Sequence, residues 1–291
     1  MLSEEGLRHR PVLAREVLDA LALPRGGVAW DLTVGDGAHA ALLLEAMGTG
    51  GRLMGMDRDP KAIEAAGAAL SAYGDRVRLV RGPFSGVGSA GFLPPDGVLM
   101  DLGVSTRQIL DPRRGFSFSS DGPLDMRMGP EGPSAAEVVN SASEGDLERI
   151  LRELGEERWA GRIARALARN RPILTTGRLA EIVAGAVPGR GRRHPATRVF
   201  QALRIHVNDE LGELERGLEA VLALLPAGSR LAVISFHSLE DRIVKRVLRA
   251  RSAEPGWRLL PRKAVKAGRE EVLSNPRARS ARLRTILREA A

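Results

Sequence analysis

The chain has 291 residues, 43% of them hydrophobic, enough to bury one large core and to carry a modest second domain. Its 44 Lys and Arg against 36 Asp and Glu leave a net charge of +8, which favours a polyanionic partner without identifying one. Cysteine is absent, which excludes disulfides, thiolate metal sites and cysteine nucleophiles, and no signal-like leader or apolar run of bilayer length is present, so a soluble cytoplasmic protein is expected.

The first hundred residues alternate short apolar runs with helical patterns, the signature of strand–helix–strand units and a parallel sheet. Strands are predicted at Val28–Val34, Arg52–Asp57, Arg76–Val80 and Asp96–Leu102, with helices at Ala38–Met47 and Pro60–Tyr73. After Asp101 a segment rich in Gly, Pro, Ser and Arg breaks the pattern, and short helical stretches such as Glu144–Leu154 and Arg158–Ala168 follow. A stretch this long between two strands is too long for a loop, so residues 105–200 are expected to form an inserted helical domain. A helix over Val199–Leu225, with apolar residues every three or four positions, leads back to a strand at Arg230–Phe236. Ser238-Leu-Glu-Asp241 reads as a capping box for the next helix, and the segment from Trp257 supplies two closing strands. The expected fold is a doubly wound α/β sheet built from residues 1–104 and 201–291, interrupted by the insertion.

The first strand runs into Asp31-Leu-Thr-Val-Gly35-Asp36-Gly37-Ala38-His39-Ala40, a glycine turn opening a helix, where the backbone turns sharply and the helix offers N–H donors. Gly35-x-Gly37-x-x-Ala40 also satisfies the dinucleotide fingerprint, with Asp57 22 residues beyond Gly35 as the ribose carboxylate. Electrostatics favours another cofactor. A pyrophosphate at this turn would meet Asp31 and Asp36, whereas S-adenosylmethionine brings a sulfonium and an ammonium. A nicotinamide-dependent oxidoreductase is the alternative. Asp57, ending the second strand, either accepts the ribose hydroxyls or caps the helix at Pro60; Phe84 packs on an adenine or in the core.

Asp101 ends the fourth strand, at the carboxyl edge where parallel sheets place ligands. A conjugated amine is a weak nucleophile whose hydrogens must be held while its nitrogen is aimed at the methyl group, and a carboxylate at this edge does that. Methylation at a pyrimidine ring carbon commonly starts with a cysteine, so a heteroatom target is expected instead. His237, after the fifth strand, either assists proton removal or is structural. No catalytic metal is expected, since none of the five His has a metal-binding spacing.

Arg190, Arg192, Arg193, Arg198 and Arg204 form one basic stretch, and nine basic residues lie between Arg262 and Arg288. Both suit phosphate contact, and Phe116 and Phe118 either stack on an extruded base or lie buried.

Taken together, His9-Arg-Pro-Val-Leu13, the Asp31–His39 turn, Asp101-Leu-Gly-Val-Ser105, Arg114-Gly-Phe-Ser-Phe118, Asp121-Gly-Pro-Leu-Asp-Met-Arg-Met128, His194-Pro-Ala-Thr-Arg198, Phe200-Gln-Ala-Leu-Arg204, Val207-Asn-Asp-Glu-Leu211, Ser235-Phe-His-Ser-Leu-Glu-Asp-Arg242 and Asn275-Pro-Arg-Ala-Arg-Ser280 resemble the RsmH family, also called MraW, of small-subunit ribosomal RNA cytidine N4-methyltransferases. The resemblance implies a class I (Rossmann-like) methyltransferase sheet with an inserted helical domain. It places donor contacts at Gly37, Ala38, His39, Asp57, Phe84, Asp101 and Gln108, and it implies a cytidine in the decoding region of 16S ribosomal RNA, within the small subunit, as target. No membrane partner is implied, and either a monomer or a homodimer is compatible. Asp36 and Ala38 stand where the family often has glycine, and Thr106-Arg107 replaces a more usual Ser-Pro. A nonenzymatic RNA-binding assembly factor on the same fold is the competing reading.

Overall fold

The computed structural model describes residues 11–188 and 194–290. By chain contacts it divides into two units, one made of residues 1–103 and 211–291, the other of residues 104–210.

The first unit opens with α1 (Ala14–Leu21), β1 (Val28–Asp31), α2 (Ala38–Met47), β2 (Arg52–Asp57), α3 (Pro60–Ala69), β3 (Val77–Arg81) and β4 (Gly97–Asp101). Asp59 caps α3 by accepting from the Lys61 amide, with Pro60 in the first turn. That helix stops at Ala69, and a tighter 3₁₀ turn over Ser71–Arg76 replaces the predicted continuation to Tyr73, with Gly74 at φ +57° reversing the chain.

The second unit contains α4 (Thr106–Leu110), α5 (Ala135–Ser141), α6 (Glu144–Gly155), α7 (Ala160–Arg169), α8 (Thr176–Ala186) and α9 (Ala196–Asn208). Serine or threonine caps α4, α5, α6 and α8. Leu147, Leu151, Ile163, Leu167, Leu179, Val183, Val199 and Leu203, all fully buried, form its core. Asn208 ties the long 115–128 segment to α9: its Oδ1 accepts from the Met128 amide, and its Nδ2 donates to the carbonyls of Met126 and Arg204, each at 2.8 Å. The single helix expected over Val199–Leu225 is two, because Asp209 adopts φ +46° and closes α9 before α10 (Glu210–Leu224) begins. The second unit therefore ends at Glu210 and not near residue 200.

The first unit resumes through α10 into β5 (Arg230–Ser235), α11 (Ser238–Arg251), β6 (Trp257–Leu259), α12 (Arg269–Ser274) and β7 (Arg282–Arg288). The seven strands run in the order β3-β2-β1-β4-β5-β7-β6. The first five are parallel, and β7 lies antiparallel to both β5 and β6. Burial on both faces explains the near-continuous apolar strands. Successive residues alternate between two cores: Leu99, Ala232 and Ile234 face one with α1 and α2, while Val98, Met100, Leu231 and Val233 face the other with α10. The strand order reverses between β1 and β4, so the crevice beyond their carboxyl ends is where such a sheet holds a ligand. No helix of the described residues is long and apolar enough to cross a membrane.

Candidate active site

Three aspartates end the central strands, Asp31 on β1, Asp57 on β2 and Asp101 on β4. The glycine turn is strung between them. Gly35 and Gly37 take φ of +52° and +85°, a backbone that favours glycine, and a Cβ on Gly37 would press Leu70 at 3.3 Å. Asp36 and Ala38, the two departures from glycine, are not among the positive-φ residues. Ala38 is the first residue of α2, so neither side chain strains the turn.

Asp57 anchors this loop from both sides. Its Oδ2 accepts from the Gly35 amide at 3.0 Å and its Oδ1 from the Asp59 amide at 2.9 Å. It therefore does not cap α3, a role Asp59 takes. Burial pushes its carboxyl up to about 6, against the lowering effect of these two amides.

Asp31 is fully enclosed. One oxygen accepts from the Thr33 amide at 3.2 Å, while its Oδ2 has no hydrogen-bond partner among the described residues. Burial pushes its carboxyl up to about 7; His39 and the Thr33 amide oppose the rise, while Asp101 and Asp57 add to it.

Asp101 is fixed through its backbone, whose amide donates to Thr33 Oγ1 at 2.6 Å, and through its side chain, whose Oδ2 lies 3.4 Å from His39 Nδ1. Its Oδ1 is buried and has no hydrogen-bond partner among the described residues. The His39 ring is clamped from the other side by the Val12 carbonyl, 3.0 Å from Nε2. Burial lowers the tendency of that ring to charge, but the hydrogen bond and charge of Asp101, with Asp31 and the Val12 carbonyl, raise its pKa overall. Both ring nitrogens of His39 are thus engaged within the protein. Val12 is held by its neighbour Leu13, whose amide donates to Glu271 of α12 at 2.7 Å.

Phe84 opens a 3₁₀ turn after β3 and is half-buried over α10. A Cβ on Gly217 would fall 2.2 Å from its ring, and Glu213, one turn earlier, accepts from the Ser85 amide and hydroxyl at 2.9 and 2.8 Å. Phe84 is therefore packed on one face, and its placement depends on α10.

His237, not Ser238, is the N-cap of α11. Its ring accepts from the Glu240 amide at 3.3 Å while Glu240 reaches back to the His237 amide. The expected capping box is present, shifted one residue, because a histidine nitrogen substitutes for the usual oxygen. His237 Nε2 lies 3.1 Å from Glu240 Oε1, and the side chain is 11% exposed, so the ring is tied to its own helix start.

In the second unit Gln108 is buried and its side-chain carbonyl accepts from the Ser105 amide at 2.9 Å, closing a capping box on α4 that Thr106 and Arg107 leave intact. Phe118 is engaged internally by His194 at 4.6 Å and Phe200 at 4.9 Å between ring centroids, and Phe116 lies under the Arg114 guanidinium. Both are half-buried and pack on the helical core. Arg198 donates to the Glu156 carbonyl at the end of α6. Arg190, Arg192 and Arg193 lie outside the described residues.

Two residues gained significance only in three dimensions. Thr33 couples β1 to β4, and Arg277, opposed by desolvation, takes its favourable charge interactions from Asp101 and Asp36.

Two unpartnered carboxylate oxygens flanking the crevice at the switch point fit a ligand that brings positive charge and N–H donors and do not fit a pyrophosphate. S-adenosylmethionine has that chemistry. Comparison with known proteins agrees. The profile of the MraW methylase family matches residues 6–289. The chain is 50% identical to the ribosomal RNA small subunit methyltransferase H of Syntrophotalea carbinolica, covering 99% of this chain and 100% of that one. It is 50% identical to the protein of the same name from Geobacter sulfurreducens, over 95% and 97% of the two chains, and 48% identical to that of Symbiobacterium thermophilum, over 96% of each. A match over nearly the whole length, with a sheet and crevice suited to S-adenosylmethionine as methyl donor, shows that this chain belongs to the MraW methylase family.

Proposed function

We propose that this protein methylates small-subunit ribosomal RNA, at the exocyclic N4 amine of a cytidine in the decoding region of 16S RNA. The observation that carries this reading is Asp101, a carboxylate at the switch point with one oxygen held toward His39 and the other unpartnered. S-adenosylmethionine supplies an electrophilic methyl on a sulfonium, the leaving group being a neutral thioether.

The chain's own residues do the rest. Asp31 and Asp101 would face the cationic donor, and Asp57, whose oxygens keep lone pairs beyond the two amides, would accept from the ribose hydroxyls. Phe84, packed on α10, would border the adenine. Gln108 is a further donor contact in this reading, inferred from the family's motif. Asp101 accepts a hydrogen of the amine and aims its nitrogen at the methyl; as the N–C bond forms, the amine sheds one proton, which Asp101 is placed to take. His39, backed by the Val12 carbonyl, keeps Asp101 oriented. His237 stays a second candidate for proton transfer at the same edge. The second unit, residues 104–210, forms the substrate-recognition part in this reading.

The test is methyl transfer from isotopically labelled S-adenosylmethionine to small subunits lacking the modification, followed by nucleoside mass spectrometry. Labelled N4-methylcytidine is the expected product. Tight subunit binding without transfer would favour an assembly factor.

A further inference from the structure

On the α11 side of the sheet, the first unit has a cleft of about 290 Å³ between α11 and the β6–β7 edge. Its helical wall is one face of α11: Lys245, Leu248, Arg249 and Ser252 follow one another at i, i+3, i+4 and i+7. Leu259 and Pro261 supply apolar lining, Arg262 adds a third cation, and no acidic residue contributes to the wall.

The charges here are arranged differently from those on the rest of the helix. Arg246 pairs with Glu215, and Arg251 pairs with Glu254 at 2.8 Å. Lys245, Arg249 and Arg262 form no ion pair among the described residues. Arg284, which also lines the cleft, is matched by Asp241 at 2.7 Å, and the same aspartate takes Arg282 at 2.6 Å. The carboxylate paired with the cleft's own Arg284 is therefore already shared by two arginines. Two like charges one turn apart on a helix oppose its stability. The helix dipole offsets this for Arg249 in the last turn but not for Lys245 in the middle.

We propose that this cleft binds the phosphodiester backbone of single-stranded RNA, as a second anchoring site for the RNA substrate apart from the methyl-transfer crevice. The proposal rests on the reading that the substrate is RNA. Three cations converging on a concave, partly apolar wall focus positive potential, and a backbone phosphate supplies the missing counter-charge without requiring any particular base.

The test is the triple variant Lys245→Gln/Arg249→Gln/Arg262→Gln, with the charge-preserving Lys245→Arg/Arg249→Lys/Arg262→Lys as its partner. Binding of a short mixed-sequence single-stranded RNA is followed by fluorescence anisotropy from about 0.05 to 0.3 M salt. Each lost phosphate contact lowers the slope of log K against log salt by about 0.7, so the glutamine triple loses about 2 in slope and roughly fiftyfold in affinity near 0.15 M. The charge-preserving triple retains the wild-type slope, and both bind S-adenosylmethionine normally. In transfer assays on small subunits the glutamine triple raises KM and leaves kcat at saturation unchanged.

An unchanged slope, with wild-type transfer intact, overturns the cleft and spares the function. An equal loss per charge in Arg25→Gln/Arg52→Gln, exposed positions elsewhere on this unit, also overturns it by reducing the effect to overall charge. Loss of slope in a protein that transfers no methyl to any ribosomal substrate supports the cleft and overturns the function.

Discussion

Replacing Asp31 by asparagine tests the electrostatic account of the crevice most directly. The Asp31 carboxyl, ordinarily near 3.8, is pushed up to about 7 by burial. Between those values the unfolded chain has released its proton and the folded protein has not, so this group makes stability fall as pH rises from about 4 to about 7. The gap corresponds to roughly 4 kcal/mol in full, with less than half of it expressed near pH 5. An asparagine side chain has nearly the same shape and no charge, so Asp31→Asn escapes the loss. The expected result is a melting temperature that exceeds wild type by a margin growing with pH, reaching roughly 8–16 °C at pH 8 at about 2–4 °C per kcal/mol. The assay is thermal unfolding by circular dichroism at pH 5 and pH 8, with and without S-adenosylmethionine. The donor should raise the wild-type melting temperature at pH 8 and raise the variant's less, because the variant has lost a counter-charge for the cation. Parallel pH curves for the two proteins, or equal stabilisation by donor, would refute this assignment of Asp31.

Asp101→Asn should leave the melting temperature near wild type and lower kcat by about 10²–10⁴, the usual worth of a positioned acid–base group; near-normal turnover would remove Asp101 from the chemistry. His39→Ala should reduce kcat by a smaller factor and shift the pH dependence of kcat, since the ring acts through Asp101; a loss confined to donor KM would instead make it a ligand contact. In Gly217→Ala the added methyl meets the Phe84 ring, so a loss of about 1–3 kcal/mol in stability and weaker donor binding are expected by calorimetry. Asn208→Ala leaves the Met128 amide and the Met126 carbonyl without their partner, for a loss of about 1–3 kcal/mol per buried group and greater proteolysis of the 115–128 segment.

Much of the architecture was legible in the chain itself. β2 and α2 have the predicted boundaries, because the period of an apolar pattern and a glycine turn or Asp–Pro cap are local signals. The glycine turn and the strand-end aspartates could be picked out for the same reason, since a sheet edge is where a strand's pattern stops. Boundaries set by a single backbone angle were not legible. Nothing in the regular spacing of Val199–Leu225 announces the break at Asp209, and Ser238 looked the better cap until the His237 ring was seen to occupy that position.

What a side chain is free to do depended on its neighbours from distant parts of the chain. His39 resembled a ligand contact in sequence, yet Val12 and Asp101 hold both its nitrogens; Phe118 resembled a base-stacking residue, and only the structure sets His194 and Phe200 against its half-buried ring. Conversely, Asp31 could be read from the sequence as an acidic partner for a cationic donor, and only its enclosure shows an oxygen without a partner among the described residues. The layered sheet, its cofactor edge and the residue types available there follow from local pattern, because periodicity and turn chemistry act over a few residues. The tertiary structure alone decided which of those groups stay unsatisfied, because desolvation and hydrogen bonding depend on atoms brought together from up to 258 positions apart, as Leu13 and Glu271 are.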